Sequence, residues 1–400
     1  MKKAGLLLVT ITAVWGWSGC SKADAPVDPH QYFIEVIHTA TARFDDFFAS
    51  FGEGVTNSEK LSFVEPLASL LLKDITVSAY VITYRTVDYY GNPIVASGTV
   101  YFPNDTHIRG VVEVAPIAFI QKTSGASGRI PSTEAMQSCF GYITIIPDFI
   151  GYGVSQDIYH PFLEPEITGR VAYDMRQASR EFLRTIGYEL PEKTNIAGYS
   201  LGGSMAMAMV RYYQEHGEDV KIDKIGIGCG CYEPAAAFDA FARTGKSSYC
   251  LIPTLIYSIN KYHNLNLDFS KIFTGDLLAN YEEWLDRSDE HNQWFIQDRI
   301  GSDLHNYMHA DFFTEEKNEE FNKVYRILKE LSHVDGWTPE KAIYLYHAED
   351  DESVPFECAL YAYEEFTKRG ATISFFSGTG GHVGYAAQMF ISLYLYLILR

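Results

Sequence analysis

Three short stretches of this chain carry the residue types needed for nucleophilic acyl transfer. Gly198-Tyr199-Ser200-Leu201-Gly202 sets a serine between glycines, with Gly203 behind. A serine hydroxyl attacks only when a neighbouring base removes its proton, and that base must itself be oriented by a carboxylate. Candidates for both follow in chain order. Glu349, Asp350, Asp351 and Glu352 come after the apolar run Ile343–Tyr346, and His382 closes the Ser377–His382 segment after the run Ile373–Phe376. At this level any of the four acids could serve.

These groups need a scaffold that brings them together, and the serine's flanks suggest one. Thr194–Ala197 reads as a strand, while Leu201, Met205, Ala208 and Tyr212 recur at helical spacing. A serine on a tight strand-to-helix turn projects its hydroxyl out of a sheet, and the strained turn needs glycine. The helix that follows presents free N–H groups and its positive dipole end to a developing oxyanion, with Leu201 supplying one donor. Strand and helix patterns alternate around it: strands at 111–115, 142–147, 194–197, 222–228, 343–346 and 373–376, helices at 132–140, 170–186 and 201–216. Such alternation predicts an α/β fold with a mostly parallel sheet covered by helices on both faces. A hairpin around Tyr90-Gly91-Asn92-Pro93 precedes it over 74–103, and Phe33–Phe51 reads as an amphipathic helix. Residues 235–335 break the rhythm with helical patterns and many aromatics, among them Phe238, Phe241 and Trp294, and read as a helical cap inserted in one domain spanning 31–400. The apolar segment 384–400 reads as a closing helix, since Gln388 and Ser392 and its short length argue against a membrane span.

Composition narrows the function. With 47% hydrophobic and 21% charged residues, the 400-residue chain is no disordered polymer. A net charge of −19 argues against nucleic-acid partners. The chain opens with Lys2 and Lys3, an apolar stretch to Trp17, and Ser18-Gly19-Cys20, which reads as an export signal. This segment resembles a bacterial lipoprotein signal, which implies removal of residues 1–19, lipidation of Cys20, a tether over 20–30, and attachment to the cell envelope, at the outer membrane. The other five cysteines are Cys139, Cys229, Cys231, Cys250 and Cys358. Their number is odd and they show no zinc spacing; export permits a disulfide without selecting a pair.

Taken together, GYSLGG at 198–203, HAEDDESVP at 347–355 and GGH at 380–382 resemble the α/β-hydrolase family over almost the whole chain after residue 30. A narrower resemblance to secreted bacterial and fungal esterases and lipases rests on Pro147–Gly153, His160-Pro161-Phe162 and Trp337-Thr338-Pro339. The resemblance implies Ser200 as nucleophile and His382 as general base. It also selects Asp351 as the orienting acid, because the family's acid stands three residues before Val and four before Pro, here Val354 and Pro355. Related enzymes carry His-Gly or a glycine run where this chain has Ala115-Pro116-Ile117-Ala118-Phe119. Pro116 has no N–H, so the second oxyanion donor falls to Ile117 or Ala118.

The implied substrate is a small-molecule, lipid or carbohydrate ester, with no cofactor and no metal. Two other readings share the motifs: a serine peptidase of the prolyl oligopeptidase type, and a non-catalytic lipid-anchored binding protein on a hydrolase fold. Leu201 stands where such peptidases often place an aromatic, and a full triad argues against a dead enzyme. Other chemistry is thin. His305 and His309 sit four apart, but no glutamate follows His305 to make a metalloprotease motif. Asp148 precedes the serine turn and reads as a loop brace.

Overall fold

The computed structural model describes residues 30–50, 72, 74–104, 107–117, 120–248 and 250–398. The segment expected to be a signal and tether, Cys20 included, lies outside them. Nine strands form one sheet in the order β1-β2-β3-β5-β4-β6-β7-β8-β9. They are β1 (Phe33–Arg43), β2 (Thr76–Val87), β3 (Pro93–Pro103), β4 (Gly110–Ala115), β5 (Tyr142–Pro147), β6 (Lys193–Tyr199), β7 (Lys221–Gly228), β8 (Ile343–Ala348) and β9 (Ile373–Gly378). The first three run antiparallel and β3 pairs antiparallel to β5; β5, β4, β6, β7, β8 and β9 are parallel to one another.

Parallel neighbours need crossovers, and helices supply them. In chain order the α-helices are α1 (Phe44–Ala49), α2 (Pro165–Thr185), α3 (Leu201–His216), α4 (Pro234–Thr244), α5 (Leu251–His263), α6 (Gly275–Trp284), α7 (Gln293–Ile300), α8 (Glu319–Glu330), α9 (Glu357–Lys368) and α10 (Gly381–Ile398). One face of the sheet packs on α2, α3 and α9 through Val171, Met175, Met205, Met209 and Phe366. The other packs on α1, a 3-10 helix at Thr133–Phe140 and α10, through Phe47, Cys139, Met389 and Phe390. Because both faces are buried, β5 is apolar or buried at every position, as a doubly covered strand must be. Among the described residues no helix is long and apolar enough to cross a membrane.

Helices α4 to α8 lie between β7 and β8 and bury a core of their own, centred on Phe238, Phe273, Phe312 and Phe321. The first of these helices, α4, begins at Pro234.

One expected element is different. Phe33–Phe51 is not a single helix: residues Phe33–Arg43 form the edge strand β1, and only Phe44–Ala49 coil. The β-branched run Ile34, Val36, Ile37, Thr39, Thr41 favours extended backbone and finds a partner in β2. The helical spacing came from Phe44, Phe47 and Phe48, which are buried in α1.

Candidate active site

The serine turn sits at the carboxyl end of β6, near the middle of the sheet. Ser200 has φ 59° and ψ −130°, a backbone region that a non-glycine residue enters only under constraint. The constraint is local. Ser200 N–H donates to Gly228 O across the sheet at 2.9 Å, and α3 starts at once, with Gly203 N–H donating to Ser200 O at 2.8 Å. The flanking glycines are required by close approach: a Cβ on Gly198 would stand 2.1 Å from Gly202 O, and one on Gly202 would stand 2.3 Å from Ala115 O. Leu201, first residue of α3, holds one of the N–H groups for which a helix has no internal acceptor.

The three residues separated in sequence meet here. His382 Nε2 lies 2.7 Å from Ser200 Oγ, and His382 Nδ1 lies 2.7 Å from Asp351 Oδ2. A carboxylate only accepts, so Asp351 fixes the imidazole proton on Nδ1 and leaves Nε2 to accept the serine O–H. Asp351 is itself held: Oδ1 accepts the backbone N–H groups of Ser353 and Val354, each at 2.8 Å. Burial would raise its pKa, but the hydrogen bond and charge of His382, with help from His347 and Val354, outweigh burial and hold it below the usual carboxylate range.

The neighbouring acids support the same turn differently. Asp350 accepts from Gly380 N–H at 3.0 Å and Gly381 N–H at 2.9 Å, Glu352 accepts from His382 N–H at 3.0 Å, and Glu349 accepts from Ser377 Oγ at 2.6 Å. The hydrogen bond from Gly381 is the main cause that lowers the Asp350 pKa; burial opposes it, and the Gly380 bond adds to the lowering. Tyr199, one residue before the serine, donates from Oη to His382 O at 2.6 Å. The parts played by Glu349, Glu352 and Tyr199 were not foreseen, although the acid run itself was the signal.

The second oxyanion donor needs correction. Ile117 N–H donates to a buried carboxylate oxygen of Glu134, and Ile117 O accepts from Arg129 at 2.8 Å. Glu134 also accepts from Ser132 Oγ at 2.8 Å and lies 3.4 Å from Arg129. The Ile117 N–H is therefore already committed and is not free for an oxyanion. Ala118 lies outside the described residues. No sequence pattern joins Glu134 to Ile117, because the contact is made by the return of the chain through Thr133–Phe140.

Ser200 and Leu201 open into a cavity. Its walls are apolar: Phe162 from the loop after β5, Phe238 and Phe241 from α4, Leu255 from α5, and Val354 behind the acid loop, with no charged side chain. Trp294, an aromatic of the insertion that stood out in the sequence, is 52% exposed and does not line this cavity. His305 and His309 do not share a helical face. His305 bonds Asp303 at 2.8 Å and stacks on Phe313, whereas His309 caps the next turn through Asp311 N–H. Asp148 braces its loop, accepting from Ser97 Oγ at 2.6 Å and Ser127 N–H at 3.0 Å. Among the described residues, Cys229, His347 and Asp351 place ligand atoms within 4.8 Å of one another. One is the triad-type acid and Tyr199 Oη occupies the thiol at 3.1 Å.

No family model and no curated protein matches this chain. Solved structures do. A putative hydrolase from Legionella pneumophila superposes with a TM-score of 0.72 at 19% identity, over 92% of this chain and 97% of that one. The rice cell wall degrading esterase LipA from Xanthomonas oryzae gives 0.72 at 19% identity, over 91% and 96%. Candida antarctica lipase A in its closed state gives 0.62 at 14%, over 93% and 86%. With its mostly parallel sheet, strand-to-helix serine turn and these superpositions, the chain has the α/β-hydrolase fold.

Proposed function

We propose that this protein hydrolyses carboxylic esters through an acyl-enzyme on Ser200. The observation that carries this reading is the unbroken relay from Asp351 through His382 to Ser200 Oγ, at 2.7 Å per step, opening into an apolar cavity. In the first half-reaction Ser200 Oγ attacks the ester carbonyl carbon while His382 Nε2 takes its proton. The carbonyl oxygen gains charge beside the Leu201 N–H, and the imidazolium that forms faces the Asp351 carboxylate. His382 then protonates the leaving alcohol. Water, activated by the same imidazole, releases the acid and restores Ser200.

The cavity wall supports an ester with an aliphatic or aromatic acyl group, since no charged side chain stands ready for an ionic one. The esterase and lipase among the superposed structures point the same way. Helices α4 and α5 act as a cap whose inner face sets acyl preference, and Cys20 holds the enzyme on the cell envelope by a lipid anchor. A panel of p-nitrophenyl esters beside aminoacyl and prolyl p-nitroanilides tests the reaction class, with esters expected to be cleaved. Ser200→Ala should fold normally, lose roughly 10³-fold or more in kcat and escape labelling by a fluorophosphonate. Full activity in that variant would overturn the proposal.

A further inference from the structure

Two motifs that stood out in the sequence, Pro147–Gly153 and His160-Pro161-Phe162, supply no member of the triad. In the structure both meet one side chain of the insertion. Arg287, between α6 and α7, is 1% exposed. Its guanidinium donates from Nε to Ile120 O at 2.8 Å and from Nη1 to Gly151 O at 3.1 Å, while its own backbone O accepts from Lys122 N–H at 2.9 Å. The guanidinium carbon lies 4.4 Å from the centre of the Tyr152 ring and 5.7 Å from that of Phe162. These partners are carbonyls and ring faces rather than carboxylates. Burying a charge is costly, and here the cost is offset by contacts to two separate loops.

The backbone is shaped to the same contacts. Arg287 has φ 65°, a left-handed conformation that a non-glycine residue keeps only when its surroundings fix it. Gly151 has φ 87°, and a Cβ there would stand 2.7 Å from Arg287 Nη1. The insertion grips both loops a second time. Ile120 N–H donates to Gln293 Oε1 at 3.2 Å, and Phe162 N–H donates to Ser258 Oγ at 3.1 Å.

Ile120, from the loop after β4, and Phe162, from the loop after β5, both line the cavity that holds Ser200. We infer that Arg287 is a positioning residue for substrate choice. Its planar fork ties these two loops together and so sets the spacing of Ile120 and Phe162 in the cavity wall. None of its bonds above reaches the triad, so it acts on the fit of the acyl group rather than on bond breaking. This role rests on the ester-hydrolase reading.

The test compares Arg287→Met and Arg287→Lys with wild type on acetyl, butyryl and octanoyl p-nitrophenyl esters, with active sites counted by fluorophosphonate. For Arg287→Met the loss in kcat/KM should climb from about 3-fold for acetyl to roughly 30-fold for octanoyl, mostly through KM. Arg287→Lys keeps the charge, but a single nitrogen cannot bridge both carbonyls, so it should show the same trend with smaller losses. A second arm needs no turnover. The uncharged ketone 2-decanone should bind Ser200→Ala protein, and bind roughly 10-fold more weakly once either Arg287 substitution is added. Should one substitution fail to fold, the other carries both arms. A wild type that cleaves no ester, with this difference in ketone binding intact, would sink the hydrolase reading and leave the role of Arg287 standing. Equal losses at every acyl length, a fall in kcat in place of a rise in KM, or unchanged ketone affinity would overturn the proposal.

Discussion

His347 Nε2 lies 3.5 Å from Asp351 Oδ2, the same oxygen that meets His382 Nδ1. Two imidazoles thus share one carboxylate, yet only one is placed to touch the serine. Burial is the main cause that lowers the His347 pKa, against the raising influence of Asp351 and Val354. Neutral, its ring N–H bonds Val354 O at 3.0 Å and leaves the Asp351 charge to His382.

Asp351→Asn should be crippled while Asp350→Asn keeps most activity. The amide preserves shape but offers His382 the wrong tautomer, which costs up to about 10⁴-fold in kcat. Asp350 touches only backbone N–H groups of Gly380 and Gly381. Steady-state kinetics on one p-nitrophenyl ester checks both; the reverse pattern would move the assignment.

Leu255→Trp should fill the cavity wall contributed by α5. Longer acyl esters should lose roughly 10- to 100-fold in kcat/KM while the acetyl ester is little affected, the range a filled apolar pocket supplies. Equal losses along an acyl series would separate this wall from acyl recognition. Trp294→Ala, outside the cavity, should change neither.

Acid should destabilise the protein above the ordinary carboxylate range. Burial lowers His160 to about 3 and His333 to about 4, and lowers His347 as well. A histidine that stays neutral in the fold but binds a proton when unfolded contributes stability that is complete above about pH 6.5 and declines as pH falls toward the folded value. Glu233, raised to about 7 by burial, acts in the opposite direction between 4.5 and 7. Asp174, raised by burial, acts the same way as Glu233 above about pH 3.8. With three histidines against two carboxyls, Tm should fall from pH 6.5 to pH 4. His333→Gln should flatten that slope, read by calorimetry across the range.

Cys20→Ala should release the protein from a membrane fraction into a soluble one. Two or three acyl chains give stable anchoring where one is marginal. Fractionation of cells expressing each form checks this, and identical partition of the two would leave simple secretion.

The proposed triad could be read in the sequence because its constraints are local. Only glycine fits at 198 and 202, two residues to either side of Ser200, and the Val354-Pro355 register of the related enzymes picks one acid from four. Ile117 was chosen as a donor because Pro116 lacks an N–H, but whether an N–H is free depends on its partner, and Glu134 arrives from a different turn. The strand at Phe33–Arg43 was hidden because phenylalanines at helical spacing continued past the end of a β-branched run. Trp294 drew attention by type alone; which side of α7 faces inward depends on the neighbouring helices.

Strands β7 and β8 are hydrogen-bonded neighbours, with Ile225 opposite Ile343 and Gly228 opposite Tyr346. Everything from α4 to α8 is therefore a detour between two adjacent rungs of one ladder. The strands ending at Ser200 and before Asp351, and the helix start bearing His382, stay in register through the sheet whatever that detour contains. This makes the insertion a natural exchange cassette: a chimaera carrying a different helical segment there should keep the machinery and acquire a new appetite.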